Sequence, residues 1–122
     1  MPSLTTAAEI GSYGECVAAS FVRRHGYRVL TRNYKTERGE IDLICREGDM
    51  LVFVEVRARS GEQFGRPAES IDARKEEALR AAAQDYLQLL KRDDIDWRFD
   101  AVEVRLKVGE PPVCTLIQNM FA

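Results

Sequence analysis

The chain is poor in the residues that usually build metal cages and disulfide frameworks. It has one histidine and three cysteines, Cys16, Cys45 and Cys114, which stand far apart with no CxxC pair among them. That spacing fits reduced, mostly buried thiols and argues against a zinc site or a disulfide-stapled fold. No window approaches the ~18 consecutive apolar residues of a membrane span, so no membrane association is expected. The opening "MPSLTTAAEIGSYGE" has no basic segment leading into an apolar run, so a secretory signal is not expected and a cytoplasmic location is. There is also no internal repeat, low-complexity tract or linker. The 122 residues therefore read as one domain, 1–122, long enough to bury a single core.

A strong overall charge is missing too. The net charge is −2, with 31% charged and 45% apolar residues, an ordinary globular balance without a global signature for nucleic acid or anionic lipid. The signs are unevenly spread, however. Arg23, Arg24, Arg28, Arg32, Lys35 and Arg38 face a single acid, Glu37, within one stretch, whereas "RDDID" at residues 92–96 leans acidic. A local basic patch binds phosphate whatever the total charge, because screening lets only nearby charges count. The alternative for any such run is a solvated surface.

Periodicity gives the element order. Ile10, Gly14, Val17, Ala18 and Phe21 recur at helical spacing over about Ala7 to His25, with Gly26 as a stop. Cationic Arg23, Arg24 and His25 suit the dipole of a last turn, which accounts for the lone histidine without a catalytic role. "YRVLTRNY" reads as a strand and "KTERG" as a turn; the hairpin "EIDLICREGDMLVFVEVRA" follows. "RSGEQFGRPAES" reads as a loop. A second helix is expected from an N-cap at Ser70 to about Lys91 through Ile71, Ala78, Ala82, Tyr86 and Leu89. "FDAVEVRLKV" and "VCTLI" around "GEPP" close the chain as two strands, the first alternating at Val102, Val104, Leu106 and Val108. The result is α-β-β-β-α-β-β, an α/β domain with a mixed sheet.

The hairpin carries the functional question, because Asp42 and Glu55 lie in the middle of its apolar strands. A three-residue turn would mix polar and apolar side chains on both faces. A turn over Glu47 to Met50 pairs Arg46 with Leu51 instead. It then opposes Ile41 to Val56, Leu43 to Val54 and Cys45 to Val52 on one apolar face, and Glu40 to Arg57, Asp42 to Glu55 and Ile44 to Phe53 on the other. Register follows the hydrophobic pattern, so the second arrangement is expected. Like charges placed opposite one another need a proton or a cation between them. A structural ion cluster with Arg57 and Glu40 is one answer; a Mg²⁺ site, which takes one or two carboxylates plus water, is the other. Glu15 falls about 140° from Ile10 on the first helix, at the margin of the apolar stripe, either overhanging the sheet or simply exposed. Lys75 falls about 40° from Ile71, inside the stripe of the second helix, where it must snorkel or meet an acid.

These residues carry a resemblance. "GEIDLI" followed by "VFVEVRAR" is similar to the PD-(D/E)XK nuclease superfamily, in which an acid on one strand and an acid-x-basic triplet on the next hold a divalent metal. "GSYGE", "HGYRVLTRNY", "GRPAESIDARK", "RFDAVEV" and "IQNMF" extend the likeness over nearly the whole chain to one branch, the uncharacterised bacterial YraN-like proteins. The chain also resembles the archaeal Holliday-junction resolvases. The resemblance implies a restriction-endonuclease-like αβββαβ core, a mixed five-stranded sheet flanked by helices. It implies Asp42 and Glu55 as ligands of Mg²⁺ or Mn²⁺, Glu15 as an accessory acid, and Arg57 in the usual lysine position. Arginine does not release its proton in practice, so Lys75 is a candidate to complete the catalytic set Asp42, Glu55, Arg57 and Lys75. The implied activity is metal-dependent hydrolysis of phosphodiester bonds, in DNA rather than RNA, with branched or structured DNA as a candidate substrate. Arg23, Arg24, Arg32, Lys35, Arg38 and Arg59 are the expected nucleic-acid contacts. The alternative is a nucleic-acid-binding module that has kept the fold and lost cleavage. Superfamily members often act as dimers, and a homodimer stays open here, although no stretch of sequence marks an interface.

Overall fold

A computed structural model of the chain describes residues 6–60 and 72–121. Helix α1 runs Ala7–Arg24, followed by β1 (Arg28–Lys35), β2 (Glu40–Glu47) and β3 (Met50–Ser60). Helix α2 (Ala73–Leu90), β4 (Trp97–Leu106) and β5 (Val113–Ile117) complete the order expected from the sequence. The strands form one sheet in the order β1-β2-β3-β4-β5, antiparallel except for the parallel pair β3–β4. A parallel pair needs a crossover, and α2 supplies it.

Each helix covers one face of the sheet. The α1 side buries Ala18, Ala19 and Val22 against Leu43, Cys45, Val52, Val54, Val102 and Val104. The α2 side buries Leu79, Ala82 and Ala83 against Ile44, Leu51, Phe53 and Phe99. Alternating side chains of β3 therefore feed two cores, as expected of a central strand covered on both faces.

Helix ends follow local chemistry. Thr6 caps α1 in a capping box with Glu9, each bonding the other's backbone N–H. His25 closes α1, its Nδ1 3.0 Å from the Phe21 carbonyl, as its place in the last turn suggested. For α2 the N-cap is Asp72, whose carboxylate accepts from the Lys75 N–H at 2.9 Å, in place of the expected Ser70. An aspartate two residues further on gives a cap of equal quality and starts the helix later. Ser70, Ile71 and all but the first two residues of the expected loop lie outside the described residues.

Three expectations about individual side chains need correction. Leu89 is exposed, because the buried stripe of α2 runs through Leu79, Ala82, Ala83, Tyr86 and Leu90. Val108 is fully exposed beyond the end of β4, which begins earlier than expected, at Trp97. Cys16 is exposed, whereas Cys45 is buried and Cys114 partly so.

Candidate metal and phosphate site

The hairpin register is the one that the apolar pattern selects: Glu47–Met50, Arg46–Leu51, Cys45–Val52, Ile44–Phe53 and Leu43–Val54. The pairing then stops, and the reason is Asp42. Its Oδ2 accepts the Val56 N–H at 2.8 Å, taking a donor that the β2 backbone would otherwise have paired. On the other side of β2 the rungs Arg32–Leu43 and Tyr34–Ile41 bracket Asn33, which has a left-handed backbone (φ 53). Asparagine tolerates that conformation better than most residues. It reverses the alternation of β1, so that Arg32 reaches Cys16 Sγ on the α1 side at 3.4 Å while Tyr34 stacks edge-on against Tyr86 of α2. Ile41 turns with it into the α2-side core. The expected apolar face thus holds for Leu43–Val54 and Cys45–Val52 but not for Ile41–Val56. Glu40 is paired with Lys35 of β1, at 3.9 Å between charged atoms.

Two glycines let the helices close on this break. A Cβ on Gly14 would overlap Ala58 Cβ, so α1 lies directly on β3 one residue before Glu15. A Cβ on Gly39 would overlap the Ala78 carbonyl, so the start of β2 is pressed against α2 three residues before Asp42. Only glycine permits approaches this close.

The α2-facing row of β3 reads Leu51, Phe53, Glu55, Arg57 and Arg59, apolar under the helix and charged where the strand runs out. Glu55 is 5% exposed, a burial that a carboxylate tolerates only with compensation. Lys75 supplies one part of it, with Nζ 2.9 Å from Glu55 Oε2. It is also the first position of the stripe that continues through Leu79, Ala82 and Ala83. Of the two readings of its place in that stripe, snorkelling or meeting an acid, the second is the one observed. The contact is an ion pair, and among the described residues Oε2 has no aligned hydrogen-bond donor.

Asp42 stands against Glu55, and the electrostatics of the pair are those of two acids sharing one site. Burial first, then contact with the Glu55 carboxyl, pushes Asp42 from the usual 3.8 up to about 8; the Glu15 charge adds to the rise, and the Val56 N–H opposes it. The Lys75 ammonium is held above its usual range, chiefly by Glu55. Ile10, Gly11, Glu15, Val56, Arg57, Ala58, Ser60 and Lys75 line a cleft of about 420 Å³, which Lys75 links to Glu55. Glu15, Arg57 and Lys75, from α1, β3 and α2, thus converge on one cavity. Among the described residues no three His, Cys, Asp or Glu side chains form a ready-made metal cage. Two carboxylates completed by water remain a sufficient set for Mg²⁺ or Mn²⁺, and the donor chemistry and the orphaned Glu55 Oε2 fit such an ion.

The basic residues are not all gathered here. Arg59 follows Arg57 on β3, beside Arg105 of β4. Arg23 and Arg24 end α1, and Arg24 lines a different cleft with Cys16, Pro111 and Cys114. Arg38 is tied to α2 through the Asp85 carboxylate and the Ala81 carbonyl.

Sequence reasoning missed a second buried acid. Asp100, fully buried, accepts from the Tyr27 hydroxyl (2.6 Å), Arg98 Nε (2.9 Å) and the Asn119 N–H (2.9 Å). Arg98 also donates to the Tyr27 hydroxyl and Glu47, and Gln118 donates to the Tyr27 hydroxyl. The signal was available, since Asp100 is in phase with Val102, Val104 and Leu106 on the buried face. Its bonds are complete, and they pin the residues after β5 to the sheet.

Residues 14–104 match the family described as Uncharacterised protein family UPF0102. The chain belongs to this family. It is 43% identical over 112 residues to a UPF0102 protein of Symbiobacterium thermophilum, covering 92% of this chain and 95% of that one. A UPF0102 protein of Caldicellulosiruptor saccharolyticus is 40% identical over 114 residues, 93% and 97% of the two chains. UPF0102 is the YraN-like family, nuclease-like in the PD-(D/E)XK sense, as the motifs implied. The five-stranded mixed sheet with flanking helices agrees with a restriction-endonuclease-like core. Among the described residues no helix is long and apolar enough to cross a membrane.

Proposed function

We propose that this UPF0102 protein is a Mg²⁺- or Mn²⁺-dependent endonuclease that hydrolyses phosphodiester bonds in DNA, with branched or structured DNA as the first substrates to try. The observation that carries the reading is the buried Asp42–Glu55 pair, two acids sharing one site, which Lys75 links to a cleft that Glu15 and Arg57 also line. Asp42 and Glu55 would hold the ion, with Glu15 as an accessory acid. Bound there, a divalent ion supplies Lewis-acid stabilisation of phosphate charge and a more acidic water.

The chain's own part is positional and electrostatic. The Val56 N–H fixes the Asp42 carboxylate, and Gly14 brings the Glu15 charge close to it. Arg57 and Lys75 attract the scissile phosphate and offset the negative charge that builds on it. Arg57 is not the general base, because guanidinium keeps its proton. Arg59 and the outlying Arg23, Arg24, Arg32, Lys35 and Arg38 are the candidates for holding the nucleic-acid backbone, a salt-dependent contribution.

Purified protein with Mn²⁺ should cut at least one substrate from a panel of duplex, single-stranded and branched DNA and RNA. Asp42→Asn should abolish the cutting; retained cutting would falsify the site. Arg57, standing where lysine is usual, favours a second reading, a nucleic-acid-binding module without cleavage. Arg57→Lys separates the two. Activity unchanged or reduced assigns arginine a working role, whereas activity gained by a silent protein supports the module.

A further inference from the structure

The space beside Glu55 already contains a cation of the chain's own. Lys75 Nζ stands 2.9 Å from Glu55 Oε2, a buried atom with no aligned hydrogen-bond donor among the described residues. The charged groups that face this contact are Asp42 from β2, Glu15 from α1 and Arg57 from β3. The Lys75 side chain itself is 58% exposed, and it lines the cleft together with Arg57 and Ser60. Its ammonium is held at Glu55 while most of its stem is exposed, so it can swing towards solvent without disturbing the core.

We infer that Lys75 is a resident counter-ion that occupies the Glu55 side of the site in the metal-free protein and gives up that contact when a divalent ion binds. The inference rests on the metal reading above. An ammonium and a divalent ion compete for the same buried oxygen, and two cations within a few ångströms of one another repel strongly. The released ammonium remains on the cleft wall beside Arg57, where a phosphate would enter. Metal entry and phosphate capture are thereby coupled through one side chain, and α2 is the element that carries the coupling. Lys75 stabilises the empty site and weakens the affinity for the ion, since the two effects are linked.

Calorimetric titration of Mn²⁺ into the wild type, Lys75→Met, Lys75→Arg and Lys107→Met tests this. Lys75→Met is expected to bind Mn²⁺ about tenfold more tightly or better, because one competing charge is gone. It is expected to melt at a lower temperature than the wild type in EDTA and to close that gap in saturating Mn²⁺. Lys75→Arg, which keeps the charge, should stay near the wild type. Lys107→Met removes an equal charge from a pair with Glu110 and should match the wild type. Unchanged or weaker Mn²⁺ affinity in Lys75→Met overturns the inference while leaving the metal reading standing. No binding by either protein overturns both, whereas binding by Lys75→Met alone supports the counter-ion.

Discussion

The Asp42 carboxylate accepts the Val56 N–H at 2.8 Å, so a side chain does the work of a backbone carbonyl at the point where β2 leaves β3. The same bond that ends the ladder holds the acid against Glu55. Strand divergence and acid placement are therefore one feature, and the site follows from how the sheet opens.

Asp42 makes stability depend on pH in the metal-free protein. Its pKa is raised from 3.8 to about 8, so the folded state keeps a proton that the unfolded chain gives up. Stability is then highest below about pH 4 with respect to this group, and falls as pH rises through the window to about 8. Asp42→Asn cannot titrate and still offers an oxygen to the Val56 N–H. In EDTA, melting temperature against pH should fall across this window for the wild type and run flatter for Asp42→Asn, with the variant the more stable at about pH 9. Parallel profiles would show that Asp42 is not the group responsible.

Gly14 and Gly11 sit on the same helix and should respond in opposite directions to alanine. Both gain up to about 1 kcal/mol from helix propensity. At Gly11 nothing outside its own helix among the described residues lies within 4 Å of the new Cβ, so Gly11→Ala should raise the melting temperature by a few degrees. At Gly14 the Cβ meets Ala58 Cβ, and overpacking of this kind costs about 1–3 kcal/mol. Gly14→Ala should therefore be net destabilising, and should weaken Mn²⁺ binding by lifting Glu15 away from β3. Thermal melts and calorimetry on the pair check both halves.

Asp100 should be among the least replaceable residues. Asp100→Ala strands the Tyr27 hydroxyl, Arg98 Nε and the Asn119 N–H beside a partly buried guanidinium. Removing one partner of such a pair costs about 3–5 kcal/mol. Gln118→Ala, which removes one donor to the Tyr27 hydroxyl, should cost only about 1 kcal/mol. Denaturant unfolding that ranks the two equally would mean that Asp100 is not the hub of the network.

The element order was legible in the sequence because each strand and helix shows its own period. The hairpin register was legible too, because a one-residue slip would have mixed polar and apolar side chains on both faces. Local pattern could not reveal the reversal at Asn33, since a left-handed residue breaks the alternation from which faces are read. Ile41 was accordingly assigned to the wrong core. Lys75 was suspected from its place in the α2 stripe, but its partner was not. Whether it reaches Glu55 depends on how closely α2 approaches β2, which Gly39 sets through space. Asp100 shows the opposite case. Its phase on β4 was written in the sequence, and only its partners, spread from Tyr27 to Asn119, were not.

The basic residues divide by what already answers their charge, and nucleic-acid binding should divide with them. Arg38 is engaged by Asp85 and by the Ala81 carbonyl, so releasing it for a phosphate costs those contacts. Arg59 continues the β3 row past Glu55 and Arg57 and lies beside Arg105, a like charge that cannot answer its own. Each phosphate contact that is lost reduces the slope of log affinity against log salt by roughly one. Arg59→Ala should show that reduction in duplex or branched DNA titrations at several salt concentrations. Arg38→Ala should leave the slope unchanged and instead lower the melting temperature slightly, since it releases Asp85 and the Ala81 carbonyl. If Arg38→Ala carries the loss of slope and Arg59→Ala does not, the nucleic acid runs across the β1–β2 turn, away from the Asp42–Glu55 cleft.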